Sequence, residues 1–372
     1  MTAAPSGASE TEPRPLRVGV VGLGWAGQQH MNRYAERPDV ELVGIAGLED
    51  ERRAELAERY GVQVAVADWQ DLLAQGELDA VSVATPTFLH APVAIAALEA
   101  GAHVLTEKPM ARTSAEADAM VAAARAAGRV LQVAFNYRYR GDISALREQV
   151  EAGTLGRVYH ARAWWLRRAG IPTLGSWFTN REMAGGGPLI DLGVHVLDAT
   201  LQLMGRPSVE AVSAVTHAEL GPRGLGGAAT EKSGVGSAYE VEDLAVVLLR
   251  MSNGASLALE SSWATHRPSG DELAITLYGT DAGAELKVVD YAPQTVVRIH
   301  GAAPDGVDDV ELPERPGTGH AGVVDDFVAT VADPATWPEH DGAPAAELTR
   351  VIEACYLSAT RGTEIRLDEL KG

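Results

Sequence analysis

Three residues in this chain have the types and settings that chemistry on a hydroxyl group needs: Lys108, Asp191 and His195. Lys108 lies in "LTEKP" (105–109), directly after an apolar run, and Pro109 biases it towards an extended backbone. An ammonium there can hydrogen-bond a substrate hydroxyl and stabilise negative charge growing on its oxygen. The competing reading is an ordinary exposed surface lysine. Asp191 and His195 lie in "GGGPLIDLGVHVLDATLQLMG" (185–205), where Pro188 suits a first helical turn and Gly205 a helix end. Leu189, Ile190, Leu192, Val194, Val196 and Leu197 make this helix apolar around most of its circumference, which predicts burial. Asp191 and His195 fall at i and i+4 on one side, with Asp198 three residues further. A carboxylate beside an imidazole on a buried helix suits general acid–base work, Asp191 orienting or tuning His195. Other readings stand beside it: Asp191 favouring the helix N-terminus, His195 as a satisfied core histidine, or both as metal ligands. No Cys or His-rich spacing nearby completes a tetrahedral metal set.

The elements that hold these residues show in the first third of the chain. From 16 to 136 the apolar runs "RVGVVGLG", "VELVGIAG", "DAVSVATP", "AHVLTEKP" and "RVLQVAFN" alternate with amphipathic, Ala-rich stretches often closed by Gly. Continuous apolar strands alternating with helices imply a parallel sheet covered on both faces. Ligands of such sheets sit beyond the carboxyl ends of the strands. The first run ends in Gly22-Leu23-Gly24-Trp25-Ala26-Gly27, a G-x-G-x-x-G pattern between a predicted strand and a predicted helix. That context fits a dinucleotide: the first glycine permits the turn, the second lets pyrophosphate approach, and the third lets helix pack on strand. The position that reads the adenosine ribose, about 20 residues on, is Gly47 in "VGIAGLEDERR". Glu49 or Asp50 can reach ribose hydroxyls, while Gly47 leaves room for a 2′-phosphate beside Arg52 or Arg53, so both NAD and NADP stay open. Thr85 and Pro86 close another strand and His90 opens the next helix, all placed to line the cofactor cleft. His30 reads as packing.

After 137 the rhythm changes to consecutive strands, "RVYHARAWWLR", "DLAVVLLRM", "SLALESSWA", "DELAITLYG", "AELKVVD" and "TVVRIHG", several joined by hairpin signals. This predicts an α+β domain over 137–372 on a mostly antiparallel sheet whose free face a second copy would cover. Residues 221–237 predict a mobile loop and 345–361 a C-terminal helix. Trp164 and Trp177 offer faces suited to sugar rings, although such aromatics usually build cores, and Arg167 is either a substrate contact or solvated. Residues 1–15 predict a disordered tail. The net charge of −20 argues against nucleic acid and anionic membranes. No apolar run reaches the roughly 18 residues that span a bilayer. A single cysteine, Cys355, fits a reducing compartment, the cytoplasm by default.

The glycine turn with His30, "ATPTFLH", "TEKPMA" and "GGGPLIDLGVHVLD", taken in order, resemble the Gfo/Idh/MocA oxidoreductases, such as glucose–fructose oxidoreductase and inositol dehydrogenase. The resemblance implies a Rossmann domain followed by an α+β domain whose open sheet forms homodimers or homotetramers. Lys108 matches the lysine of the family's EKP motif, and Asp191 and His195 match its Asp-x-x-x-His pair. In the family His is the general base, Lys holds the reacting hydroxyl and Asp assists. Glu107 and Thr85 match positions near the cofactor. The implied reaction is NAD- or NADP-dependent oxidation of a secondary hydroxyl in a sugar, sugar derivative or cyclic polyol, or the reverse. Relatives that use NAD transiently, and sensors on the same fold, are the alternatives, and the intact trio argues against a sensor.

Overall fold

The computed structural model describes all residues except 1–13, 76, 228–238, 269, 294, 304–305, 307 and 371–372. Most of the expected tail, and the expected loop from 228 onward, lie outside the described residues. Six short apolar strands form the first sheet: β1 (Leu16–Val21), β2 (Val40–Ala46), β3 (Val64–Val66), β4 (Ala80–Val83), β5 (His103–Thr106) and β6 (Leu131–Val133). All pairings are parallel, in the order β3-β2-β1-β4-β5-β6. β4 and β5 are buried along their whole length, as strands covered on both faces must be. The intervening helices are α1 (Trp25–Ala35), α2 (Asp50–Tyr60), α3 (Trp69–Gln75), α4 (His90–Glu99) and α5 (Ser114–Ala127). α2 and α5 stop at left-handed glycines, Gly61 and Gly128. Thr113 caps α5 by accepting the Glu116 N–H.

The chain then builds α6 (Gly141–Glu151), β7 (His160–Arg167), α7 (Arg181–Ala184), a π-helical turn (Leu189–Gly193) running into α8 (Val194–Leu203), and β8 (Val209–His217). Five strands follow: β9 (Leu244–Met251), β10 (Ser256–Ser262), β11 (Asp271–Tyr278), β12 (Gly283–Val289) and β13 (Val297–His300). β14 (Val310–Leu312), α9 (Gly319–Ala332), α10 (Ala343–Arg361) and β15 (Ile365–Arg366) complete the order. The second sheet runs β14-β13-β12-β11-β7-β10-β9-β8-β15 and is antiparallel except between β7 and β10. In β9 buried Ala245, Val247, Leu249 and Met251 alternate with exposed Val246, Leu248 and Arg250, so one face packs and the other is open. α8 and α10 lie on the packed side, against β7 and β8 respectively. α9 falls late in the chain yet packs on α1: Val323, Val324 and Phe327 share a core with Val18, Val20, Met31 and Tyr34. Asp325 also pairs with Arg33 and Arg37. No helix among the described residues is long and apolar enough to cross a membrane.

Candidate active site

The cleft starts at the glycine turn after β1. Gly22 has φ +102°, and a Cβ there would stand 2.2 Å from the Ala84 carbonyl oxygen. A Cβ on Gly27 would stand 2.0 Å from the Gly22 carbonyl oxygen. A Cβ on Gly24 would meet nothing within 4 Å. Two glycines are therefore demanded by the turn itself, and the third borders open space at the start of α1, the arrangement a pyrophosphate requires. Thr85, after β4, carries a buried Oγ1 with no partner. Trp25 opens α1 and is 67 % exposed. These features fit a dinucleotide.

Packing against Leu23 requires glycine at position 47. A Cβ there would lie 2.5 Å from Cγ of the buried Leu23. Arg53 donates to the Gly47 carbonyl at 2.5 Å and is paired with Asp50, while Arg52 and Glu49 are exposed. His90 does not line the cleft. Its ring is buried, with Nδ1 2.7 Å from the Pro109 carbonyl and Nε2 2.9 Å from the Thr85 carbonyl. Burial pushes its pKa down. His90 thus sits between the loops after β4 and β5, and its neutral ring can donate to one of the two carbonyls. Pro86 leads into the short turn Thr87–Leu89.

After β5, the Glu107 carboxylate is buried, with Oε1 3.2 Å from His30 Nε2 and 3.6 Å from His320 Nε2. Burial alone would raise its pKa, but the two imidazoles hold it well below the usual carboxylate range. His30 and His320 bring α1 and α9 to the turn that carries Lys108. The Lys108–Pro109 peptide is cis.

Lys108 Nζ donates to Asp191 Oδ1 at 2.8 Å and to the Asp191 carbonyl at 3.2 Å. The indole Nε1 of Trp263 donates to Asp191 Oδ2 at 2.9 Å. Burial opposes ionisation of Asp191, but Lys108, Arg167 and the two hydrogen bonds hold its pKa at about 2. Both oxygens are therefore engaged, and among the described residues no hydrogen bond joins Asp191 to His195. Asp191 is thus hydrogen-bonded to Lys108 and Trp263, and it reaches His195 only through its charge, which raises the imidazole pKa. The helix opens as a π-turn over Leu189–Gly193, whose i→i+5 pattern alters how Asp191 faces relative to His195. His195 is buried against Tyr137 and Trp165, with ring centroids 4.9 and 5.8 Å away. Its Nδ1 is sealed without a partner. Burial and the Lys108 charge push its pKa well below the ordinary histidine value, while the nearby Asp191 and Glu107 carboxylates push it up.

The helix is anchored by Glu242. Its carboxylate accepts the Gly187 and Leu189 N–H groups, both at 3.0 Å, and the Tyr356 hydroxyl at 2.9 Å. The triple glycine has a matching reason: a Cβ on Gly186 would strike the Tyr356 hydroxyl, and one on Gly187 the Glu242 carbonyl. Glu242 thus accepts two N–H groups at this N-terminus, while Asp191 lies in the first turn itself.

Strand alternation separates the two tryptophans of β7. Trp165 faces the site, whereas Trp164 points to the open face, bonded to Glu272 and covered by Arg162. The expectation that Trp164 meets substrate is thus corrected. Trp177 stacks on Phe178 with centroids 3.8 Å apart. Arg167 pairs with Asp271 at 2.7 Å and lies over Trp165 and Tyr291. Beside Tyr137 opens a cavity of about 250 Å³ lined by Asn136, Arg140, Pro293, Gly317, Thr318 and Gly319. Trp263, Tyr137 and His320 were missed in the sequence. No residue type or spacing there ties them to Lys108, and only folding brings them near it.

Comparison with known proteins decides the family. Residues 16–135 match the model described as an oxidoreductase family with an NAD-binding Rossmann fold, and residues 143–285 match its GFO/IDH/MocA C-terminal domain. The chain belongs to the Gfo/Idh/MocA oxidoreductases. It is 39% identical over 273 residues to D-glucoside 3-dehydrogenase of Escherichia coli (strain K12), covering 73% of this chain and 77% of the relative. It is 34% identical over 284 residues to levoglucosan dehydrogenase of Pseudarthrobacter phenanthrenivorans, covering 72% of each. A solved levoglucosan dehydrogenase in complex with NADH superposes with a TM-score of 0.80 at 26% identity, over 95% of this chain and 99% of that one.

Proposed function

We propose that this protein oxidises a secondary hydroxyl of an uncharged sugar, sugar derivative or cyclic polyol, and reduces the corresponding ketone in reverse. The observation that carries the reading is a buried His195 beside the Lys108–Asp191 pair, at the carboxyl edge of an NAD-binding Rossmann sheet. The turn at Gly22, Gly24 and Gly27, with Leu23, Trp25, Thr85 and Glu107, would hold the dinucleotide, which supplies the hydride acceptor. In the oxidation His195 takes the hydroxyl proton. Lys108 donates a hydrogen bond to the same oxygen and offsets the charge that grows there while the C–H bond breaks and the carbonyl forms. Asp191 keeps the ammonium aimed.

Pairing around the cleft supports a neutral substrate. Lys108, Arg138, Arg140 and Arg167 each face a carboxylate, Asp191, Asp198, Asp142 and Asp271 respectively. A phosphate or uronate would meet cations whose charge is already balanced. Arg53, engaged by the Gly47 carbonyl and by Asp50, is not free for a 2′-phosphate, which favours NAD over NADP. Buried Cys355 supports a cytoplasmic setting. The open sheet face, with Val215 paired to Val246 and Leu248 one row away, supports a homo-oligomer.

The test is reduced-nicotinamide absorbance with NAD⁺ and NADP⁺ over glucosides, anhydrosugars, inositols, sugar phosphates and uronates. Turnover of a neutral glycoside or polyol with NAD⁺ supports the reading. Preference for a charged sugar overturns the substrate class, and no turnover on any member despite NADH binding overturns net oxidation.

A further inference from the structure

Trp263 is the largest fully buried side chain among the described residues. It directly follows β10, and its backbone is held on the strand at its side: its N–H donates to the Asp243 carbonyl at 3.1 Å. The preceding Ser262 Oγ bonds to the Asp243 and Ala264 carbonyls at 2.6 and 3.0 Å. The indole therefore has little freedom, and its single donor is spent on Asp191 Oδ2. A carboxylate held through one oxygen can turn about its Cβ–Cγ bond. Donors on both oxygens, Lys108 on one side and Trp263 on the other, fix its plane. Packing alone does not require this residue type, because a phenyl ring would fill much of the same space. A buried indole N–H needs an acceptor, and a buried carboxylate needs donors.

We propose that Trp263 is a positioning residue for the reaction: its indole N–H locks the Asp191 carboxylate in the orientation that aims the Lys108 ammonium at the substrate oxygen. The proposal rests on the reading of Lys108 given above. It assigns the hydrogen bonds of Asp191 to Lys108 and Trp263, so that Asp191 acts on His195 through its charge alone.

The experiment compares wild type, Trp263→Phe, Asp191→Asn and the double variant, using the full chain with NAD⁺ and the best neutral substrate. The expected result is a kcat lowered about tenfold to a hundredfold in Trp263→Phe, as for loss of one hydrogen bond to a charged group. NADH affinity and substrate KM should stay close to wild type. In the Asp191→Asn background the same substitution should change kcat less than about twofold, because groups acting through one another are not additive. An equal loss in both backgrounds, or wild-type kcat in Trp263→Phe, overturns the proposal. If Trp263→Phe does not fold, benzothienylalanine at 263 replaces the N–H by sulfur with little change in volume, and the same criteria apply. A readout independent of turnover is the Asp191 carboxyl band in infrared difference spectra against Asp191→Asn. Its titration should move to higher pH when the indole donor is lost, and an unmoved band overturns the tether. A moved band in an enzyme with no turnover on any substrate would refute the reaction and not the tether.

Discussion

Lys108→Met is the sharpest test of the catalytic assignment. Methionine keeps an unbranched stem of similar length and removes the charge together with the N–H donors. In wild type the ammonium lies 2.8 Å from Asp191 Oδ1, and it would meet the reacting oxygen at a similar distance. At about 3 Å and an effective dielectric of about 20, a full alkoxide would be stabilised by about 5 kcal/mol. Charge is only partly developed at the transition state, which brings the expected loss to about 3–4 kcal/mol, or on the order of 10²- to 10³-fold in kcat. The variant also leaves Asp191 buried with Trp263 as its remaining side-chain donor, so its carboxyl pKa must rise from about 2. Stripping a buried ion pair of one partner costs about 3–5 kcal/mol of stability when burial is complete. Partial exposure of both groups should reduce that here. Adding Asp191→Asn removes the stranded charge, so the double variant should regain melting temperature without regaining activity. The assay pairs steady-state turnover with NADH titration by fluorescence, where affinity should hold. A loss of kcat smaller than about tenfold (~1.4 kcal/mol) would refute the role given to Lys108.

The pH dependence should show His195. Its folded pKa lies below the ordinary 6.5, so the neutral base persists through that value, and the kcat/KM of oxidation should fall only at lower pH. An acid limb centred above 6.5 would refute this. The depressed pKa also means that the unfolded chain binds the proton more readily. The melting temperature should therefore fall as pH drops through the histidine range, and His195→Asn should flatten that slope. At the glycine turn, Gly24→Ala should fold normally and weaken NADH binding by tenfold or more, because its methyl enters open space facing the ligand. Gly27→Ala should lower the melting temperature, since its methyl would stand 2.0 Å from the Gly22 oxygen. Equal effects of the two in calorimetry and NADH titration would refute the division of roles. On the open face Leu248 is 42 % exposed, and Leu248→Asp should shift light-scattering mass towards the monomer while leaving the fold intact. An unchanged mass would place the subunit contact elsewhere.

Much of the architecture was legible because its signals are local. Apolar runs of four to seven residues at β1, β2, β4 and β5, separated by helices, can bury themselves only in a parallel sheet covered on both sides. The alternation in β9 likewise announces a sheet with one open face. The glycine turn was legible for the same reason, since its clashes involve backbone within the turn or on the neighbouring strand. α9 was not. Nothing in 319–332 says that this helix returns to pack on α1, because that choice depends on which apolar surface is left uncovered when the sheets have formed.

The sequence by itself determined the residue types of the site and the elements that carry them: a lysine after a parallel strand, and a carboxylate and an imidazole on a buried helix. Only the tertiary structure decided how they pair. A spacing of four along a helix suggested that Asp191 serves His195, yet a carboxylate bonds whatever donors the fold brings to it. Lys108 comes from 83 positions upstream and Trp263 from 72 positions downstream, and together they take both of its oxygens. Trp164 and Trp165 make the same point on a smaller scale, since adjacent residues of one strand must face opposite ways and only packing chooses the face that meets the site.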